Sequence, residues 1–158
     1  MARKDITMTP AEIEDFLATG HILQVATIGK GGTPHLAPMW YVIDDGKVVF
    51  RSFTRSQKIV NLQRDPRLTV LHERGLAYAE LQGVMIRGTG RLVEDPDYVL
   101  EIYRRLAAKY PMVGDEPVDL DDEGLEAAFG RFAPKNTAVA VEPDKIVTWD
   151  HTKLGGAY

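Results

Sequence analysis

The chain has 158 residues, 44% hydrophobic and 27% charged, with a net charge of −4 and no cysteine. These values describe a soluble globular protein large enough for a real core. They exclude disulfides, thiolate metal sites and cysteine nucleophiles, and they argue against general nucleic-acid binding. No apolar run approaches the roughly 20 residues of a membrane span. Met1 to Thr7 lacks the apolar core of a signal peptide, so a cytoplasmic protein is expected.

In chain order, Thr9-Pro10-Ala11-Glu12 is a capping box with proline at the first helical position. Ile13, Phe16 and Leu17 form the apolar stripe of that helix, and Gly20 ends it. His21 to Ile28 is β-rich, Gly29 to Thr33 is a hairpin loop, and Pro34 to Ile43 returns as a second strand. Asp44-Asp45-Gly46 turns the chain into a third strand, Lys47 to Phe53. A short helix from Ser56 stops at Asp65-Pro66, and Arg67 to Leu71 is a fourth strand. Tyr78 to Gly83 is expected to begin the next strand, which Val84 to Val93 continues. Asp95-Pro96-Asp97 opens a helix whose apolar stripe runs from Val99 to Tyr110, and Pro111 ends it. Residues 112–124 read as an acidic surface loop, and Leu125 to Phe132 as a short helix. Thr137 to Trp149 is the last strand, broken by Pro143, and the tail 153–158 carries no packing signal of its own. The pattern is mainly β with peripheral helices, a small barrel in a single domain over residues 1–158. The alternation of a doubly wound sheet is absent.

The segment Arg51 to Lys58 stands out against the acidic background. It lies where a strand ends and a helix begins. There the unpaired backbone N–H groups of the helix start meet Ser52, Thr54, Ser56 and the cations Arg51, Arg55 and Lys58. Such a corner suits an anion, phosphate above all; a capped helix with solvated charges is the alternative. Ser56 is the expected N-cap. Side-chain alternation along the strand turns Arg51 toward the opposite sheet face from Ser52.

Pro34 to Tyr41 is unusual for a strand. Pro38 removes a ladder hydrogen bond, so the strand is irregular there or has an unpaired side. Met39 and Trp40 beside it offer a flat, polarizable surface suited to a planar heteroaromatic ligand. An ordinary core strand with an edge proline is the alternative.

Ala26-Thr27-Ile28, Gly32-Thr33-Pro34-His35, Pro38-Met39-Trp40-Tyr41, Ser56-Gln57-Lys58 and Asn61 to Arg67 occur in one order. In that combination the chain resembles the pyridoxamine 5′-phosphate oxidase-like split β-barrel superfamily, with an FMN-binding-like fold. The ending Trp149 to Gly156 is similar to its flavin/deazaflavin oxidoreductases of group B, many of which use coenzyme F-420 (8-hydroxy-5-deazaflavin). The resemblance implies a homodimer with cofactor clefts between subunits. It implies that Ser52, Ser56, Gln57 and Lys58 hold the cofactor phosphate and that Pro38, Met39 and Trp40 lie along the ring. Arg51 is counted with these cofactor-binding residues; with Arg55 and Lys30 it could meet an anionic cofactor tail. Arg64 and Arg67 also match, but pairing with Asp65 at the helix stop is their simpler role. Pyridoxamine phosphate oxidases share an arginine-rich C-terminal substrate motif. This chain has Trp149-Asp150-His151-Thr152-Lys153 instead, which disfavours that reaction.

No metal site is expected, because no histidine pair has helical i, i+4 spacing and no H-E-x-x-H occurs. The acids at 119–123 lack a calcium-loop pattern. No serine nucleophile elbow is present, so the chemistry is expected to belong to the cofactor. The resulting expectation is an F-420-dependent oxidoreductase passing hydride from the deazaflavin to an unsaturated or conjugated small molecule. Tyr78, His35 and solvent are the candidate proton donors. An FMN-dependent oxidase or flavin reductase, and a non-catalytic deazaflavin- or haem-binding protein, are the alternatives. Neither a membrane nor a nucleic-acid partner is expected.

Overall fold

The structure, a computed structural model, describes residues 6–155. Among these, seven strands form one sheet in the order β2-β1-β5-β6-β7-β4-β3. The strands are β1 (Leu23–Ile28), β2 (Pro34–Met39), β3 (Val42–Asp44), β4 (Lys47–Phe53), β5 (Arg67–Arg74), β6 (Gln82–Val93) and β7 (Asn136–Asp150). All neighbouring pairs are antiparallel. The helices are α1 (Pro10–Thr19), α2 (Gln57–Arg64), α3 (Pro96–Lys109) and α4 (Asp122–Phe129). The sheet curls on itself, and this is the split β-barrel expected from the sequence.

Alternation along the strands sorts side chains into two cores. In β4, Val48 and Phe50 enter the barrel with Leu23, Val25, Val70 and Val84, while Ile59 and Leu62 of α2 pack onto them. Val49, one step out of phase, joins Ala138 and Ala140 of β7 beneath Ile102, Tyr103 and Leu106 of α3. Each fully buried aliphatic or aromatic side chain contributes about 1.5–3 kcal/mol. The same alternation sends Ser52 to the barrel side and Arg51 to the α3 side.

Local signals explain the element ends. Thr9 and Glu12 form both halves of the capping box that starts α1. The Asp45-Gly46 turn has φ of 47° and 69°, the two positive values that a tight hairpin with right-handed strand twist requires. Asp95 caps α3 by accepting from the Asp97 N–H at 3.0 Å.

Several expectations are corrected. The strand read as Pro34 to Ile43 is two strands at opposite edges of the sheet: β2 pairs with β1, and β3 pairs with β4. The chain crosses between them at Trp40-Tyr41. Pro38 is tolerated because β2 is an edge strand with one unpaired side. Tyr78–Glu80 is a 3-10 turn rather than the start of a strand. The short helix begins earlier than Leu125, because Asp121 caps it by accepting from the Gly124 N–H at 2.8 Å. β7 is continuous past Pro143: Gly88 pairs with Pro143 and Arg87 with Lys145, leaving Asp144 as a bulge. The tail does pack, since Leu154 is buried at the end of a 3-10 turn, His151–Leu154. Gly156 and the two residues after it lie outside the described residues.

Candidate functional site

At the β4–α2 corner, Ser52 Oγ and Ser56 Oγ lie 3.0 Å apart, and Lys58 Nζ donates to Ser52 Oγ at 3.3 Å. Ser56 holds the N-cap position, as expected, but its hydroxyl makes no capping bond. It faces Ser52 instead, leaving the first amides of α2 without a side-chain partner. Burial depresses the Lys58 amine, and among the described residues no carboxylate pairs with it. A partly desolvated cation beside two hydroxyls and open helix amides is an unneutralised positive site.

Gln57 is at the same helix start, but its side-chain amide donates to Asn61 Oδ1 at 2.8 Å. Asn61 is fully buried and donates to Thr27 Oγ1 at 3.0 Å, tying α2 to β1. Arg64 adds bonds to Asn61 and to the Ile28 carbonyl. Arg67 forms the ion pair with Asp65, at 2.7 Å, and holds that carboxyl at about 2. The motif's middle is therefore a brace for the β4–α2 corner, and Arg55 stays exposed beside it. In the sequence Asn61 stands only as a motif member; nothing local marks it as the hub, because Thr27 is 34 residues away.

A cavity of about 320 Å³ opens on the α3 side, lined by Ile22, Pro38, Met39, Trp40, Arg51 and Leu106. Trp40 is stacked on Tyr110, with ring centroids 4.7 Å apart and 12° between planes. Tyr110 was read only as an apolar helix residue. Its hydroxyl accepts from the Tyr41 N–H at 3.1 Å and has the carbonyls of His21 and Tyr41 at 2.8 and 2.9 Å for its one proton. That bond satisfies the backbone where the β2–β3 crossover has no ladder partner. Tyr110 thereby holds the crossover and the Trp40 ring together.

Arg51 lies over the Tyr103 ring, 4.1 Å from its centroid, and donates from Nη1 to Asn136 Oδ1 at 3.2 Å. Burial lowers its pKa. The structure thus brings Ser52, Ser56 and Lys58 together with the backbone at Gln57, and separately gathers Pro38, Met39, Trp40 and Arg51 around the cavity. Neither proton-donor candidate lines that cavity. Tyr78 packs against His151 with ring centroids 4.6 Å apart, and His35 lies on β2 opposite Thr27.

The ending Trp149 to Gly155 is structural. Gly83 has no room for a side chain, since a Cβ there would lie 2.1 Å from the Trp149 ring. Asp150 accepts from the Thr152 N–H at 3.0 Å, and Lys153 pairs with Glu12 of the α1 capping box at 2.7 Å. Among the described residues no group of three or more histidines and acids is placed to hold a metal ion. No described helix is long and apolar enough to cross a membrane.

A crystallised conserved hypothetical protein from Mycobacterium tuberculosis is 35% identical, with a TM-score of 0.88 over 98% of this chain and 92% of that one. A structure described as an F-420 reductase is 21% identical, with a TM-score of 0.64 over 85% of this chain and 94% of that one. HutZ, the heme storage protein from Vibrio cholerae, is 13% identical, with a TM-score of 0.64 over 89% of this chain and 94% of that one. These last two likenesses are of fold alone. No curated protein matches the chain. The sequence model described as pyridoxamine 5′-phosphate oxidase matches residues 9–150, so the chain belongs to the pyridoxamine 5′-phosphate oxidase family.

Proposed function

We propose that the protein is an oxidoreductase that uses coenzyme F-420, acting as a homodimer on a small unsaturated or conjugated molecule. When bound, the deazaflavin supplies a hydride. The protein's own residues bind and orient. Lys58, Ser52, Ser56 and the first amides of α2 hold the ribityl phosphate, Gln57 and Asn61 brace that corner, and Pro38, Met39 and Trp40 lie along the ring. Tyr110 fixes the Trp40 plane from behind. The observation that carries this reading is Lys58: a half-buried amine donating to the Ser52 hydroxyl, which in turn meets Ser56, at a helix start that its own N-cap residue leaves open. The absent arginine-rich C-terminal motif weighs against oxidation of pyridoxamine phosphate itself. Ile22, Leu36 and Trp40 are exposed apolar residues around the cavity edge and the β2 face, and they support a second copy covering it.

FMN is the second reading, because the phosphate corner fits the ribityl phosphate of either cofactor. The functional test follows reoxidation of reduced F-420 by the protein with electron-poor alkenes and quinones as acceptors. Protein-dependent reoxidation supports the reductase. Tight binding without turnover on any acceptor would make the protein a carrier.

A further inference from the structure

Among the described residues, Arg51 is the one charged side chain on the walls of the 320 Å³ cavity, and the proposed phosphate corner does not use it. It is clamped in place. Tyr103 lies under the guanidinium, 4.1 Å from centroid to Cζ, and is itself stacked on Phe129 at 4.5 Å. Asn136 takes Nη1 at 3.2 Å and is anchored by donating to the Phe132 carbonyl at 3.0 Å. Among the described residues the opposite edge of the guanidinium is unspent: Nε is buried with no hydrogen-bond partner, and the hydrogen bond to Asn136 leaves from Nη1. Among the described residues no carboxylate reaches Arg51. A guanidinium stays charged, and a buried polar N–H without a partner is costly unless a ligand completes it. The Nε–Nη2 edge matches the two oxygens of one carboxylate side-on.

We propose that this cavity takes a planar carboxylate, its two oxygens paired with the Nε–Nη2 edge of Arg51 and its apolar body against Ile22 and Leu106, beside the surface that Pro38, Met39 and Trp40 offer the ring. The other walls are apolar, which excludes a strongly hydrated ligand, and the volume suits a compact molecule. The carboxylate belongs either to the reducible substrate or to the side chain of the cofactor. The assignment to one of these rests on the cofactor reading above, whereas the anion site itself stands without it.

The test uses cinnamate, a planar unsaturated carboxylate, and its neutral isostere cinnamamide, titrated into the full chain and followed by tryptophan fluorescence. Cinnamate is expected to bind about tenfold or more tightly than the amide. Equal affinities, or binding by neither, would overturn the site. Arg51→Gln is expected to remove that advantage and leave the amide unaffected, and Arg51→Lys to restore only part of it, because an ammonium cannot offer the fork. Unchanged cinnamate binding in Arg51→Gln with an intact melting transition would also overturn it. If Arg51→Gln fails to fold, the wild-type comparison and Arg51→Lys still decide. The source follows from F-420 and FMN titrations of Arg51→Gln. Loss of F-420 affinity alone assigns the carboxylate to the cofactor side chain, and retention of both assigns it to the substrate. Equal loss of both would place Arg51 on the ring or phosphate and overturn the proposal. If neither cofactor binds the wild type while cinnamate does, the cofactor reading falls and the carboxylate site remains.

Discussion

At the scale of single residues, three cations among the described residues are kept partly out of water without acids to neutralise them: Lys58, Arg51 and Lys109. The proposed cofactor phosphate accounts for Lys58. A charge-assisted bond to phosphate contributes about 1.5–3 kcal/mol, so Lys58→Ala should weaken cofactor binding roughly ten- to a hundredfold. An unchanged dissociation constant in a folded variant would remove Lys58 from the site. Lys109 has only the structure. Its amine lies 4.2 Å from the Tyr41 ring centroid and donates to the Tyr41 carbonyl at 3.3 Å. The ring contacts favour the charged form, yet desolvation wins and brings the pKa down to about 8. The unfolded chain keeps that proton up to about 10.4, so between these values it binds more protons than the folded state and stability rises with pH. Below about pH 8 the charged amine is a standing cost. Relative to Lys109→Met, the wild type should therefore gain in melting temperature as pH rises from about 8 to about 10.4; a pH-independent difference would contradict this account.

At the scale of elements, the β2–β3 crossover makes the cavity. Continuous pairing through Trp40-Tyr41 would leave no gap beside Arg51. The crossover depends on the Tyr110 hydroxyl, so Tyr110→Phe leaves the Tyr41 N–H unsatisfied and should cost about 1–3 kcal/mol in denaturant unfolding. It should also loosen the Trp40 ring, visible as a change in tryptophan fluorescence anisotropy. The Gly88 bulge is the other fixed point. A Cβ there would lie 1.9 Å from the Glu142 carbonyl oxygen, which is backbone and cannot swing away. Gly88→Ala should destabilise by about 1–3 kcal/mol or more, or prevent folding; a wild-type melting curve would show that the bulge is not fixed. These two places also mark where sequence reading stops. The Thr9-Glu12 capping box and the Asp45-Gly46 turn are local, so their residues alone predict them. The break at Trp40-Tyr41 is invisible locally because its partner hydroxyl is 69 residues away. The site divides in the same way. The Ser52, Ser56 and Lys58 corner was legible from a strand end running into a helix start. The side of the sheet taken by Arg51 followed from alternation, but its stacking on Tyr103 and its bond to Asn136 needed the fold.

At the scale of the whole molecule, the barrel core holds the sheet while the α3 side carries the cavity, so the binding walls can vary without disturbing the barrel interior. The proposed homodimer would cover the exposed apolar residues around that cavity and should appear as a single dimeric species in sedimentation. A monomer binding one cofactor per chain would contradict it. The choice of cofactor is the central claim, and parallel titrations of the purified protein with F-420 and FMN test it most directly. F-420 should bind more tightly, because in the proposed complex exposed cations such as Arg55 and Lys30 are available to its anionic tail. Each such contact contributes only about 0–1 kcal/mol, so the preference should shrink as salt is added. Equal or tighter binding of FMN at low salt would contradict the account.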